Sequence, residues 1–190
     1  METQQPTLEY IVNEIFELYE QHGNEEYIGE PLSQLEHMAQ TAALAEKDGY
    51  DDEVVLAAFF HDIGHLCSHE TGSDMNGFGA MDHEQLGAAY LKERGFSDRV
   101  VFLVKGHVAA KRYLTYKFPQ YFKKLSEASR QTLIFQGGIM SKEEAAAFES
   151  NPDANLMLKM RTWDDLAKQE HVPIQNLAEL RQLTLMHLQR

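Results

Sequence analysis

Apolar positions recur with a helical period almost from the start of the chain. Leu8, Ile11, Val12, Ile15, Phe16 and Tyr19 fall at the spacing that lines one helix face, and Gly23 is a natural stop. Pro31 suits a first helical turn, and the stretch from Pro31 to Lys47 is rich in helix formers ahead of Gly49. A third helix is expected to take Asp51 or Asp52 as its cap and to run through Phe59-Phe60-His61-Asp62-Ile63-Gly64-His65. Cys67 to Met81, with Gly72, Gly77 and Gly79, reads as a loop. Helices are then predicted from Asp82 to Arg94, from Ser97 through Tyr113 with a stop before Pro119, and from Ser126 to Gln136 ahead of Gly137-Gly138. Ser141-Lys142-Glu143-Glu144 has the form of a capping box, and two further helices are expected around Ala154 to Lys168 and Pro173 to Gln189. No sustained alternation of strand type and no internal repeat interrupts this pattern, so the predicted fold class is all-α.

A chain of 190 residues is long enough for one domain with a substantial core, and residues 1–190 are expected to form a single domain. No apolar run approaches the roughly 18 residues a membrane span needs, and Met1 to Gln5 lack the features of a signal peptide. The one cysteine, Cys67, leaves no internal disulfide framework and suits a reducing cytoplasm, where it reads as a small core residue. A formal net charge of −13 argues against nucleic acid as a partner, because phosphate backbones are held by clustered Lys and Arg. A small anionic ligand remains compatible, provided that metals or a few placed cations overcome the background field.

The candidate chemistry lies in the histidines. His61-Asp62 ends an otherwise apolar segment, and His65 follows at a spacing that would share a helix face with His61. His37 falls on the preceding helix, His83 opens the following one and His107 lies in the next apolar helix. Any one of these is ordinarily a core or surface histidine. One on each of four successive predicted helices, with Asp62 at the second, points to a metal site inside a bundle, since imidazole and carboxylate suit iron, manganese or zinc and a carboxylate can bridge two cations.

The ordered pattern His37, His61-Asp62, His83, His107 and a late Asp164 resembles the HD-domain superfamily, most of whose members are metal-dependent phosphohydrolases. His61-Asp62-Ile63-Gly64-His65, Gly106-His107-Val108-Ala109-Ala110-Lys111-Arg112-Tyr113 and Tyr27-Ile28-Gly29-Glu30 are similar to the PhnZ family of mixed-valent diiron oxygenases, over residues 27–168. The resemblance implies an HD-domain helical bundle around an interior dinuclear site with two iron ions, a ferrous and ferric pair, bridged by Asp62. It gives one iron His37, His61 and Asp164, and the other His83 and His107. Spacing alone leaves Asp164 and Asp165 both open, and the match of Arg161-Thr162-Trp163-Asp164 to the family selects Asp164.

By the same resemblance His65 contacts substrate, Lys111, Ser129 and Arg161 bind a phosphonate, and Tyr27 with Glu30 forms a lid pair whose glutamate meets the substrate's amino end. Asp62, His65 and Lys111 are the implied catalytic residues. The implied reaction uses dioxygen to cleave the carbon–phosphorus bond of a 1-hydroxy-2-aminoethylphosphonate or its N-trimethylated form, releasing phosphate with glycine or glycine betaine. The trimethylated substrate is preferred here, its cation held by Glu30 with the aromatic face of Tyr27, Phe78 or Tyr113. The alternative is an HD phosphohydrolase acting on a nucleotide or phosphomonoester, which would use the same metal ligands.

Overall fold

The structure is a computed structural model that describes residues 6–27, 29–67, 75, 80–174 and 176–190. Among these residues there is no strand, an isolated bridge joins Glu26 and Ser33, and the fold is all-α as the periodicity predicts. The helices are α1 (Leu8–His22), α2 (Gln34–Lys47), α3 (Asp52–Phe60), α4 (Ile63–Cys67), α5 (His83–Glu93), α6 (Asp98–Lys117), α7 (Pro119–Lys124), α8 (Glu127–Phe135), α9 (Lys142–Glu149), α10 (Ala154–Leu166) and α11 (Leu177–Leu188). None of the described helices is long and apolar enough to cross a membrane.

Helices α2, α3, α6 and α10 close into a ring, each packed against the next, while α4 and α5 pack together at one end. Helix α1 and helix α11 pack on each other, and α11 also lies on α3. With neighbours around it, α3 has no solvent face. Every residue from Val54 to Phe60 is buried, which is why this segment is apolar all round and not in a stripe. Phe16, Tyr19, Phe59, Phe60 and Phe96 form the aromatic heart of the core, with Tyr19 stacked on Phe59 at 4.8 Å and Phe60 meeting Phe96 edge-on at 5.3 Å.

Several boundaries differ from the sequence expectation, each for a local reason. Helix α2 starts at Gln34 and not at Pro31, because Ser33 supplies the cap: its hydroxyl accepts from the Glu36 amide while the Glu36 carboxylate accepts from the Ser33 amide. The third helix does not run unbroken through His65. It ends at Phe60, a turn follows at His61 and Asp62, and α4 begins at Ile63, so His61 and His65 do not share a face of one continuous helix. Helix α6 continues past Tyr113 to Lys117, and α7 is a helix the pattern does not announce, opened by Pro119 in its first turn. Helix α10 stops at Leu166 and α11 starts at Leu177, not Pro173. Most of the loop expected between Cys67 and Met81 lies outside the described residues.

Candidate metal centre

Five elements deliver the candidate ligands. His37 comes from α2, His61 and Asp62 from the turn after α3, His83 from the first position of α5, His107 from α6 and Asp164 from α10, and all six are buried. The turn after α3 sets the arrangement, because it frees Asp62 from a helix face and presents its two carboxylate oxygens in different directions. Glycines allow α5 to come close enough to meet it. A Cβ on Gly64 would stand 1.9 Å from the His83 carbonyl oxygen, and Gly87 abuts the same backbone.

The ligand atoms form two groups. Asp62 Oδ2 faces His61 Nε2 at 3.3 Å and His37 Nε2 at 3.7 Å, and Asp164 Oδ1 joins that side at 3.5 Å from His37. Asp62 Oδ1 faces His83 Nε2 at 3.3 Å and His107 Nε2 at 3.4 Å. Within the pairs the Nε2 atoms stand 3.2 Å apart for His37 and His61, and 3.1 Å for His83 and His107.

These contacts fit cations between the ligands. His37 Nδ1 faces the Ala167 carbonyl at 2.9 Å, His61 Nδ1 that of Ala58 at 2.8 Å and His107 Nδ1 that of Val104 at 2.7 Å. A ring nitrogen beside a carbonyl must donate, so in the neutral rings each Nε2 is a lone pair. Two lone pairs facing each other at this distance repel unless a proton or a metal lies between them. Ligand atoms each ~2.1 Å from one cation stand ~3.0–3.4 Å apart at octahedral to tetrahedral angles, close to the separations found here. Asp164 Oδ1 is buried without a hydrogen-bond partner, which suits a metal-ligand atom.

The electrostatics of the side chains point the same way. Burial, and then the charge of His61, push His37 down to about 4. Burial opposes charge on His61 as well, but Asp62 outweighs it and holds His61 up at about 9, so the pair shares one proton where a cation fits. Against the cost of burial, His61 keeps Asp62 well below the usual carboxylate range, and Arg161 does the same for Asp164. His83 differs from the other three imidazoles: its Nδ1 lacks a partner, and the nearest acid is the equally unpartnered Glu84 Oε2 at 3.8 Å.

A pocket of about 50 Å³ opens on the centre. Asp62, His83, His107 and Asp164 form its floor, and its walls include every predicted substrate-binding residue: Tyr27, Glu30, His65, Lys111, Ser129 and Arg161. The Tyr27 ring stacks on His37 with centroids 4.0 Å apart. His65 stacks on His83 at 4.1 Å, and its Nδ1 accepts from the Ala80 amide, which leaves the proton of the neutral ring on Nε2. Lys111 donates to Thr132 Oγ1 at 3.0 Å, and burial, then the nearby Arg161 guanidinium, lower its ammonium to about 7.

Arg161 is held on three sides. It donates to Asp164 Oδ2 at 2.7 Å, to the Tyr121 hydroxyl at 2.8 Å and to Asp165, which Tyr121 also grips at 2.6 Å. Asp165 is thereby occupied away from the ligand cluster, which separates it from Asp164. Tyr113 is a correction to the sequence reading: its hydroxyl donates to Glu149 and its ring stacks on Phe148, outside the pocket wall. Phe78, the other aromatic considered, lies outside the described residues. The sequence reading also missed Gln34, Thr132, Gln136 and Lys168, which line the pocket from elements that carry no motif.

Residues 34–134 match the model of the HD domain. The chain is 47% identical to an uncharacterised protein of Acanthamoeba polyphaga mimivirus, over 93% of this chain and 81% of the relative. It is 42% identical to the [1-hydroxy-2-(trimethylamino)ethyl]phosphonate dioxygenase (glycine-betaine-forming) of Leisingera caerulea, over 83% of this chain and 80% of the relative. It is 39% identical to the hydroxymethylphosphonate dioxygenase of Gimesia maris, over 88% of this chain and 83% of the relative.

Proposed function

Because the chain belongs to the HD-domain family, and within it to the PhnZ-like oxygenases, we propose that it is an iron-dependent enzyme that uses dioxygen to cleave the carbon–phosphorus bond of a 1-hydroxyphosphonate. The observation that carries this reading is the split of the Asp62 oxygens between two imidazole pairs, directly beneath a pocket with Lys111, Arg161 and Lys168 in its wall. In a chain of net charge −13, two buried cations beside one cavity, Lys111 and Arg161, provide the local field that an anionic substrate needs.

His37, His61 and Asp164 would hold one iron, His83 and His107 the other, and Asp62 would bridge them. Iron held there would supply the one-electron chemistry that dioxygen requires, which zinc does not. The protein's own groups bind and orient. Lys111 and Arg161 meet the phosphonate oxygens, with Ser129 and Thr132 adding hydroxyl donors from α8. Tyr121 and Asp165 fix the Arg161 guanidinium from behind, so it presents a set direction to the anion. Tyr27, lying flat on His37, shields that side of the centre from water, and His65 contacts the substrate beside the ligand pair. Glu30 and the Tyr27 face provide a site for a substituent ammonium, with the trimethylated 1-hydroxy-2-aminoethylphosphonate as first choice and the free amine as second.

The test is phosphate release by iron-loaded protein from both hydroxyphosphonates, in air and under strict anaerobiosis. Release that requires dioxygen is expected. Anaerobic release from phosphomonoesters or nucleotides, with none from the phosphonates, would assign the centre to hydrolysis instead.

A further inference from the structure

Glu30 is already engaged in this structure. Lys168, just beyond the end of α10, donates to Glu30 Oε1 at 2.6 Å and lies 3.4 Å from Ser126 Oγ. Its Nζ also stands over the Tyr27 ring, 5.8 Å from the centroid. One lysine therefore occupies both a carboxylate and an aromatic face, the two features by which proteins recognise alkylammonium groups. The pair is largely withdrawn from solvent, with the Lys168 and Glu30 side chains 17% and 12% exposed, and both residues line the pocket above the metal centre.

Building on the phosphonate-oxygenase reading, we propose that Lys168 is a specificity-determining residue: its ammonium is the resident occupant of the subsite formed by Glu30 and Tyr27, and a substrate ammonium binds there by displacing it. Binding is then an exchange of one cation for another, so Glu30 is never left buried and uncompensated. A cationic substituent gains only the difference between its own contacts and those of Lys168. A 1-hydroxyphosphonate without an ammonium leaves the pair intact and is held by its phosphonate group, at Lys111 and Arg161. Discrimination between the two substrate types rests on how firmly Lys168 is held.

The proposal is tested by calorimetric titration of tetramethylammonium chloride, and separately hydroxymethylphosphonate, into wild type, Lys168→Met, Glu30→Gln and the double variant. Removing Lys168 leaves a buried carboxylate beside an aromatic face, and the single variant should bind tetramethylammonium on the order of tenfold more tightly than wild type. The gain should vanish in the double variant, while hydroxymethylphosphonate affinity stays within about twofold in Lys168→Met. Unchanged or weaker cation binding by Lys168→Met would overturn the proposal. So would an equal change for both ligands, which would assign Lys168 to the phosphonate or to the fold. Lys168→Gln takes the place of the Met variant if circular dichroism shows that variant unfolded. Cation binding needs neither iron nor turnover, so failure of the oxygenase reading would show as absent phosphate release and leave this readout intact.

Discussion

Asp62 organises the centre because its two oxygens answer to different imidazole pairs. This role is written in the sequence only as one carboxylate beside one histidine, and the pairings become legible through the order of His37, His83, His107 and Asp164 around it. Residues that act across elements without a motif were not legible. Thr132, Lys168 and Tyr121 gain their meaning from helices that meet only in the folded chain. Lys111 gives the clearest prediction at this scale. With its ammonium lowered to about 7 by burial and by Arg161, the cation is present below that pH and is lost above it. In the free enzyme, kcat/KM for the phosphonate should fall about tenfold per pH unit above the Lys111 pKa. Lys111→Arg should move this limb to higher pH, while Lys111→Met should abolish it and lower kcat/KM on the order of 10–100-fold, the loss of one charged hydrogen bond. A limb unchanged in both variants would assign the ionisation to the substrate.

At the scale of elements, helical periodicity identified most of the helices and Ser141 was read correctly as a capping box with Glu144. It failed where the function needed an irregularity. The break between α3 and α4 follows no helix-breaking residue at His61 or Asp62, and nothing in a hydrophobic pattern signals it. Pro31 is expected in the first turn of α2, whereas Ser33 and Glu36 carry the capping-box spacing that sets the start. Gly64 makes the consequence of the break testable. Alanine would favour the helix by about 1 kcal/mol, but its Cβ would meet the His83 carbonyl at 1.9 Å, and overpacking against backbone costs about 3 kcal/mol. The clash wins, so Gly64→Ala should lose about 2 kcal/mol, or roughly 4–8 °C in thermal midpoint, and weaken metal retention through His83. A variant as stable and as metal-rich as wild type would show that α4 and α5 do not need this close approach.

At the scale of the molecule, the ring of α2, α3, α6 and α10, with α5 at one end, brings to one point ligands that are up to 127 positions apart in the chain, from His37 to Asp164. The same ring lets an acidic protein keep Lys111 and Arg161 buried together, Arg161 held by Asp164 and Asp165 and Lys111 by Thr132. The proposed centre would hold two irons sharing the Asp62 carboxylate. The most direct measurement is the Mössbauer spectrum of the iron-reconstituted protein, normalised to total iron per chain. Two irons per chain in equal amounts, magnetically coupled as one pair, are expected. A single iron, or two that behave independently, would contradict the bridging role of Asp62 and with it the centre described here.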